Sequence, residues 1–299
     1  MKILVTGGSG LVGSAITAHF KPSRHELDLM DIDEIVDYIE ENEITHIIHC
    51  AARVGGLKAN MEHLGEFFYE NIIINTNVLE AARRCGVEKV VSFMSTCVFP
   101  DDATYPLSPD QIHNGEPHPS NYGYAYAKRM LEVQSRAYRE QHGCNFVTVI
   151  PCNIYGPNDN FDLDSSHVIP ALIHKCYLAK ERGTDFEVWG SGRAYREFVY
   201  VDDVATIAKW VLHNYDDPEP FIISPDLEIN MAILAQTISF KMGVNKIVYN
   251  NKYPDGQLKK PSDNSIMKRC LPDFEFIPIQ EGLSRTIDWF LQEYGVHLV

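Results

Sequence analysis

The stretch KILVTGGSGLVG, residues 2–13, decides the fold class of this chain. Residues 2–6 form a mainly apolar run that predicts a buried parallel strand, and apolar residues recur at helical spacing from Leu11 to Phe20. Glycines at positions 7, 10 and 13 lie between the two and let a pyrophosphate reach backbone N–H groups at the helix start. We therefore predict a dinucleotide-binding turn with cofactor contacts at Gly7, Gly8, Ser9, Gly10, Leu11, Val12 and Gly13.

Strands and helices continue to alternate beyond this turn. Strands are predicted at residues 45–49, 87–94 and 145–150, and long helices at 60–85 and 120–142. This order implies right-handed crossovers and a Rossmann-type, doubly wound parallel α/β sheet.

After Pro151 the regular alternation loosens. The sequence there predicts a loop at 156–170, helices at 170–180, 229–242 and 279–294, and a strand running into a helix at 198–212. We therefore expect a dinucleotide-binding domain of residues 1–155 with 196–214, and a smaller α/β substrate-binding lobe of residues 156–195 with 215–299.

Charge and cysteine content exclude several classes of protein. A formal charge of -15 argues against non-specific binding to nucleic acid or to an anionic membrane surface, since both need a basic face. The seven cysteines form no CxxC pair, which argues against a disulfide framework or a structural metal site. Met1 and Lys2 lead directly into the glycine turn, and no apolar run approaches the ~18 residues of a membrane span, so we expect a cytoplasmic protein.

The choice between NAD and NADP depends on the segment PSRHELDL, residues 22–29. NAD sites place an acidic residue at the end of the second strand, whereas the 2′-phosphate of NADP needs a positive charge. Arg24, with Ser23, favours NADP. The alternative, that Arg24 is a solvated surface charge, stays open because little room remains for a normal second strand.

Tyr124 and Lys128 form a YxxxK pair on a predicted helix, where a spacing of four places both on one face. A free tyrosine, with a pKa of ~10, is a poor acid–base catalyst near neutrality, so a neighbouring ammonium that favours the phenolate suits proton transfer. YxxxK also occurs by chance. Ser95, at the end of the predicted strand 87–94, strengthens the interpretation because its hydroxyl can reach a substrate oxygen.

The glycine turn, the serine after a central strand and the YxxxK pair together resemble the extended short-chain dehydrogenase/reductase family. Within it, the chain is similar to enzymes that epimerise and reduce GDP-4-keto-6-deoxy-mannose. The similar stretches cover nearly the whole chain: HCAARVGG (49–56), FMSTCVFP (93–100), NYGYAYAKRM (121–130), IPCNIYGPNDNF (150–161), SSHVIPALIHK (165–175), VWGSGRAYREFVYVDD (188–203) and PDGQLKK (254–260).

The resemblance implies roles for individual residues. Ser95, Tyr124 and Lys128 would form the reductase triad, and Cys97 and His167 the acid–base pair of an epimerisation. Taken alone, Cys97 could equally be a small buried hydrophobe and His167 a loop contact. Further implied cofactor contacts are Leu29, Phe93, Met94, Ser95, Thr96, Lys128, Pro151, Cys152, Asn153, Ile154 and His167. Implied substrate contacts are Lys175, Trp189, Arg196, Asp255 and Lys260.

Some of these positions have other readings. Trp189 could belong to the core of the lobe, Lys175 could be a solvated lysine, and either Lys259 or Lys260 could reach phosphate. The resemblance also implies a homodimer, formed through the helices predicted at 60–85 and 120–142.

The function to expect is an NADPH-dependent 3,5-epimerisation of a GDP-4-keto-sugar followed by reduction of its 4-ketone. One alternative is a related nucleotide-sugar 4-epimerase or 4,6-dehydratase, although a dehydratase should carry acidic residues where this chain has Cys97 and Val98. The other is a non-catalytic NADP-sensing protein, since a fold alone does not determine function.

Overall fold

A computed structural model describes residues 1–253 and 255–294 of the chain. Pro254 and residues 295–299, which the sequence analysis assigned to the substrate lobe, lie outside the described residues. The strands are β1 (Ile3–Thr6), β2 (His46–His49), β3 (Lys89–Phe93), β4 (Phe146–Pro151), β5 (Asn153–Tyr155), β6 (Phe186–Trp189), β7 (Tyr195–Tyr200), β8 (Phe221–Ile223), β9 (Glu228–Asn230) and β10 (Ile247–Asn250). The α-helices are α1 (Leu11–Ala15), α2 (Ile32–Glu41), α3 (Leu57–Glu62), α4 (Leu64–Arg84), α5 (Tyr122–His142), α6 (Val168–Arg182), α7 (Val201–Asn214), α8 (Met231–Met242), α9 (Ser265–Cys270) and α10 (Ile279–Glu293).

The central sheet has the strand order β1-β2-β3-β4-β8, and every neighbouring pair is parallel. Every residue of β1, β3, β4 and β8 is buried, as expected for strands covered on both faces. Helices α2, α4 and α5 share one apolar core with the sheet, while α7 packs on the other face. The predicted Rossmann-type α/β fold is confirmed.

The first helix is shorter than predicted. The sequence predicted a helix from Leu11 to Phe20, but α1 ends at Ala15 and Ile16 is already extended. The reason is tertiary: Phe20 forms a single bridge beside β1, donating from its N–H to Ile3 O and accepting from Val5 N–H. This bridge stands where a Rossmann domain normally has its second strand.

The helix predicted at 60–85 is divided at His63 into α3 and α4, because the backbone of His63 leaves the helical region. The sequence analysis also missed α2, whose start is fixed by the Asp31 side chain accepting hydrogen bonds from the backbone N–H groups of Asp33 and Glu34. Within the described residues, none of the helices has the length and hydropathy needed to cross a membrane.

The second part of the molecule contains two small sheets. Strands β5, β7 and β9 form one, and β6 pairs in parallel with β10 in the other. Their apolar core includes Phe161, Phe186 and Phe290, each fully buried. Some domain assignments need correction. The run Phe221–Ile223 (β8), which was placed in the substrate lobe and not recognised as a strand, pairs with β4 and completes the central sheet. Conversely, β5 and residues 196–200 of β7, which were placed in the dinucleotide-binding domain, belong to the small sheet that β7 shares with β9.

Candidate active site

The glycines of the dinucleotide turn differ in what requires them. Gly7 has a φ of +70°, and a Cβ there would lie 2.8 Å from the Ala51 backbone. A Cβ on Gly13 would lie 2.1 Å from Gly7 O, so the turn itself needs both glycines. Gly10 is exposed, and its Cβ would meet only Gly7 O, at 3.5 Å. Free space next to the Gly10 backbone fits the close approach of a dinucleotide pyrophosphate.

The remaining residues of the dinucleotide turn surround the free space next to Gly10. Ser9 is exposed, Leu11 and Val12 are half-buried, and Gly8 is buried against Lys21, whose Cβ would lie 2.8 Å from a Gly8 side chain. Because α1 has only five residues, the close backbone approach matters more here than a long helix dipole.

Arg24 is the residue that the sequence predicts at the adenosine end of the cofactor. It is exposed and lines an open cavity of about 610 Å³ together with Met30 and the first two turns of α4. The Asn77 side chain anchors this segment by donating to Leu29 O at 3.1 Å and Met30 O at 3.0 Å. Glu66 and Glu70 also line the cavity, so the Arg24 guanidinium faces a mixed electrostatic environment.

Lys128 is the most constrained of the predicted catalytic residues. Only 2% of it is exposed, and its Nζ donates a 2.8 Å hydrogen bond to Phe93 O, at the end of β3. Burial lowers the pKa of Lys128 to about 8, and the nearby Cys50 and Cys97 partly oppose that shift. The ammonium is therefore held at the carboxyl end of the sheet.

Tyr124 lies one helical turn before Lys128, and its ring packs edge-on against Phe67 at 6.4 Å. Lys128 Nζ is 5.9 Å from the centre of the Tyr124 ring. The sequence analysis expected the ammonium to favour the phenolate, but burial raises the pKa of Tyr124, and Cys97 adds to the increase. Tyr124 is therefore a neutral phenol at pH 7 and can act as a proton donor.

Ser95 and Cys97 lie on a 3-10 turn, Thr96–Val98, that follows β3. Ser95 Oγ accepts a 3.5 Å hydrogen bond from Cys97 N. Burial raises the pKa of the half-buried Cys97 thiol, while the Ser95 hydrogen bond and the charge of Lys260 oppose this increase. This turn packs against α5, which carries Tyr124 and Lys128, and Lys128 bonds to Phe93 O just before the turn, so the three groups share one corner of the site.

Two cationic side chains hold this turn through its backbone carbonyls. Lys260 Nζ donates to Thr96 O at 3.4 Å, and the buried guanidinium of Arg129 donates to Val98 O and Gly115 O. Lys259 instead lies 3.6 Å from Glu228, so Lys260 is the lysine directed at the catalytic corner. Arg129 was missed by the sequence analysis, although it directly follows Lys128 in the YxxxK helix.

The stretch Pro151–Ile154 links β4 to β5 beside this corner. Cys152 is buried and its N–H donates to Ile223 O, while the Asn153 side chain donates to Glu197 O at 2.7 Å. Met94 N donates to Val149 O, so the buried ends of β3 and β4 lie side by side. The predicted nicotinamide contacts thus come from two adjacent strand ends.

His167 begins α6, on a loop that docks against the segment after β2. Its Nδ1 lies 4.0 Å from the buried carboxylate of Asp159, and about half of its side chain is exposed. Gly56 N donates to Ser165 O at 2.7 Å, and a Cβ on Gly56 would lie 2.7 Å from Ser166 O. Gly56, which the sequence analysis did not select, therefore permits the close approach that places the His167 loop.

Trp189 and Lys175 form a stack with a third residue, Tyr253. Lys175 Nζ is 3.4 Å from the centre of one Trp189 ring, and Tyr253 stacks on Trp189 at 4.1 Å with nearly parallel planes. Trp189 is 49% exposed and is therefore not part of the lobe core. Glu187 accepts hydrogen bonds from Trp189 Nε1 and Asn250 Nδ2 and so orients the indole. Tyr253 was not predicted, since only the fold brings β6 beside the residues after β10.

Arg196 and Asp255 lie between this stack and the catalytic corner. Arg196 is half-buried, and its guanidinium donates to Tyr195 O and Gln257 O at 2.6 and 2.7 Å. Asp255 accepts hydrogen bonds from the Ser191 N–H and hydroxyl, which lower its pKa. Lys260 follows on the same segment, so the residues from 255 to 260 connect the lobe to the Ser95–Cys97 turn.

The comparisons with known proteins agree with this site. The family model described as NAD dependent epimerase/dehydratase family matches residues 3–224. The chain belongs to this family. The relationship inferred from the motifs is thereby confirmed, and the match spans the glycine turn, Ser95, Tyr124 and Lys128.

Members of the NAD dependent epimerase/dehydratase family with nearly full-length similarity indicate the subgroup. The chain is 45% identical over 306 residues to GDP-L-fucose synthase of Dictyostelium discoideum, covering 98% of this chain and 96% of the relative. It is 40% identical to the probable GDP-L-fucose synthase of Drosophila melanogaster, covering 98% of both. A solved structure of a GDP-L-fucose synthetase from Naegleria fowleri bound to NADP is 39% identical and superimposes with a TM-score of 0.93, covering 98% of this chain and 93% of that one.

Proposed function

We propose that this chain converts GDP-4-keto-6-deoxy-D-mannose to GDP-L-fucose in an NADPH-dependent reaction, by 3,5-epimerisation and then 4-keto reduction. The observation that carries the proposal is the position of the Cys97 thiol on the turn that follows β3, next to the strand end where Phe93 O accepts the hydrogen bond from Lys128. A second support is the 45% sequence identity between this chain and a GDP-L-fucose synthase over nearly the whole chain. A simple reductase would need the phenol and the ammonium but not the thiol.

In the epimerisation, Cys97 and His167 exchange protons at C3 and C5 of the sugar. The neighbouring C4 ketone acidifies both positions, and the negative charge of each enolate falls on the C4 oxygen. Ser95 and Tyr124 donate hydrogen bonds to that oxygen. The geometry that favours these roles is the short turn from Ser95 to Cys97, which places a hydroxyl and a thiol two residues apart at one strand end.

In the reduction, the bound NADPH supplies a hydride to C4. Tyr124 then donates its phenolic proton to the resulting C4 alkoxide, a role that suits a tyrosine whose pKa burial raises. Lys128 stabilises the phenolate that remains and contacts the nicotinamide ribose. Its bond to Phe93 O holds the ammonium in place before any ligand binds, so little reorganisation is needed.

Binding of NADP(H) is supported by the glycine turn and by Arg24. The open space at Gly10 suits the pyrophosphate, and Arg24 offers a positive charge to the 2′-phosphate. The family description names NAD, whereas the Naegleria fowleri structure is bound to NADP. We propose Gly7–Gly13, Arg24, Leu29, Phe93–Thr96, Lys128, Pro151–Ile154 and His167 as the cofactor contacts.

The GDP moiety needs cations, because the chain as a whole is acidic. We propose that Lys175, Arg196 and Lys260 bind the diphosphate and that Trp189 and Asp255 contact the rest of the nucleotide sugar. We further propose that the cofactor domain is built on the central sheet, including β8, and that the substrate lobe is built on the two small sheets, which include β5 and β7.

We also propose a cytoplasmic homodimer that associates through α4 and α5. These two helices pack side by side, and α4 exposes Phe68 and Tyr69 at 43% and 59%. Sedimentation of the purified chain should give a mass of about twice 33.9 kDa, and a monomeric mass at micromolar concentration would contradict the dimer.

The reaction is tested with purified protein, NADPH and the ketosugar. Stoichiometric NADPH oxidation with formation of GDP-L-fucose is expected. A 4-epimerase or dehydratase would consume no net NADPH, and a sensor would bind it without turnover. In deuterated water, Cys97→Ser should stop deuterium entry at C3 or C5 while NADPH affinity is unchanged, and normal exchange in that variant would refute the role of Cys97.

A further inference from the structure

A fully buried histidine that the proposed reaction does not use lies between the dinucleotide turn and the catalytic helix. His49, at the end of β2, is 0% exposed. Its Nδ1 lies 2.7 Å from Thr6 Oγ1, at the end of β1, and its Nε2 lies 3.0 Å from Asn75 Oδ1, on α4. Thr6 and Asn75 are themselves buried, so these contacts are shielded from water.

The contacts extend in both directions to backbone groups near the site. Ala51 N–H donates to Thr6 Oγ1 at 3.3 Å, and Asn75 Nδ2 donates to Ala127 O at 3.2 Å. Ala51 is the residue that a Cβ on Gly7 would strike, and Ala127 directly precedes Lys128. One end of this chain of hydrogen bonds therefore lies beside the dinucleotide turn, and the other lies on α5, next to Lys128.

The two backbone ends fix the direction of every bond between them. Ala127 O can only accept, so the amide nitrogen of Asn75 faces it and the amide oxygen faces His49. His49 Nε2 must then carry the proton, Nδ1 accepts from the Thr6 hydroxyl, and the Thr6 oxygen is left to accept from Ala51 N–H. Only the neutral Nε2–H tautomer of His49 satisfies all of these groups.

The Lys128 segment is thus attached at two points. Its side chain is bonded to β3 through Phe93 O, and its backbone is bonded through Asn75 and His49 to the ends of β1 and β2. We propose that His49 is a positioning residue that fixes the distance between the dinucleotide turn and α5. NADPH bound at the turn then lies correctly against Lys128. This inference rests on the proposed function.

The surroundings of His49 agree with a neutral ring. Burial and the nearby Lys128 ammonium lower the pKa of His49 to about 3. A protonated ring would place a second positive charge beside Lys128, and its Nδ1 could no longer accept a hydrogen bond from the Thr6 hydroxyl. The tautomer is therefore maintained across the physiological pH range.

The test compares Thr6→Val with Thr6→Ser. Valine has nearly the shape of threonine but removes both the donor to His49 and the acceptor for Ala51, whereas serine keeps the hydroxyl. We expect Thr6→Val to lower kcat for NADPH-dependent reduction at least about tenfold and to weaken NADPH binding, with Thr6→Ser close to wild type. Asn75→Ala, at the other end, should show the same kinetic change.

Two measurements without turnover separate this inference from the proposed function. NADPH affinity is measured by fluorescence, and the ring nitrogens of His49 are assigned by NMR, which should show the Nε2–H tautomer from pH 5 to 8 in wild type. If wild type binds NADPH but reduces no ketosugar, the proposed function fails, and the affinities of the two Thr6 variants still decide this inference.

Equal NADPH affinity and kcat in the Thr6→Val and Thr6→Ser proteins, both folded at the assay temperature, would overturn the proposal. So would a His49 ring protonated at pH 7. Failure of both Thr6→Val and Asn75→Ala to fold would overturn it as well, because the network would then serve stability alone.

Discussion

The corner around Lys128 and the stack around Trp189 are built in opposite ways. In the corner, Lys128 and the Ser95–Cys97 turn are held by buried hydrogen bonds to backbone carbonyls. In the stack, Trp189 and Tyr253 are 49% and 41% exposed and contact one another and Lys175 through ring faces. In the proposed function, the reacting groups are fixed before the substrate arrives, while the groups that bind the nucleotide retain freedom to adjust.

The comparison predicts that the buried charge of Lys128 lowers the free energy of unfolding while it serves the reaction. Lys128→Met is the sharpest test. Loss of the ammonium should lower kcat about 10²–10⁴-fold. The folded state lowers the pKa of Lys128 to about 8, so below pH 8 the protein holds a charge that the unfolded chain solvates better. At pH 7 the variant should therefore gain about 1–3 kcal/mol in free energy of unfolding, measured by urea denaturation.

The matched control is Lys89→Met. Lys89 is also buried, but it lies at the opposite end of β3 and forms an ion pair with Asp216 at 2.8 Å. This variant should lose stability and keep its activity. A Lys128→Met protein that is both inactive and less stable than wild type would contradict the claim that the buried Lys128 charge destabilises the folded state.

The second prediction concerns Gly56→Ala, which tests whether the docking of the His167 loop is needed for epimerisation. The added methyl group would lie 2.7 Å from Ser166 O, so the loop that carries His167 must move. A displacement of about 1 Å at a catalytic group costs roughly 100-fold in rate, and we expect that decrease in deuterium entry at C3 or C5.

Lys58→Ala serves as the control for Gly56→Ala. It removes an exposed ion pair between Lys58 and Asp164, on the same loop, without a steric clash. Deuterium entry and NADPH affinity should both be normal in this protein. If Gly56→Ala exchanges deuterium at the wild-type rate, the docking of the loop does not place His167 for catalysis.

The third prediction addresses the stack. Trp189→Leu removes the ring that lies between Lys175 and Tyr253 and should raise KM for the ketosugar about tenfold with kcat nearly unchanged. Phe240→Leu, which alters a 91% exposed aromatic residue of the same lobe, should change neither constant. A large decrease in kcat for Trp189→Leu would show that the stack also positions the substrate for the reaction and does not only bind it.

The smallest expected effect is a pH dependence of the wild-type reduction. Because burial lowers the pKa of Lys128 to about 8, the ammonium loses its proton as pH rises through that value. Between pH 7 and 8, kcat should fall about twofold, measured by NADPH oxidation at saturating substrate. A flat profile from pH 7 to 9 would mean that Lys128 stays charged in the working enzyme.

Local patterns in the sequence predicted the fold class and the candidate reductase residues, whereas other residues of the candidate site depend on tertiary contacts. The glycine turn and the YxxxK spacing each lie on one element, so strand, turn and helix were recognised together. The end of α1 was wrong because Phe20 bridges to β1, a contact that helical spacing does not reveal. His49, Gly56 and Tyr253 act through segments distant in sequence, and the only local sign was a polar side chain at the end of the apolar strand β2.

The single bridge at Phe20 has a consequence for redesign. Within residues 21–31, all of them described, the backbone is tied to the rest of the domain mainly by the Asn77 amide rather than by a ladder of strand hydrogen bonds. The adenosine end, including Arg24, can therefore be rebuilt by exchanging one short surface loop. A redesign of the cofactor preference from NADPH to NADH would therefore begin with this loop and would leave the central sheet and the proposed reacting groups unchanged.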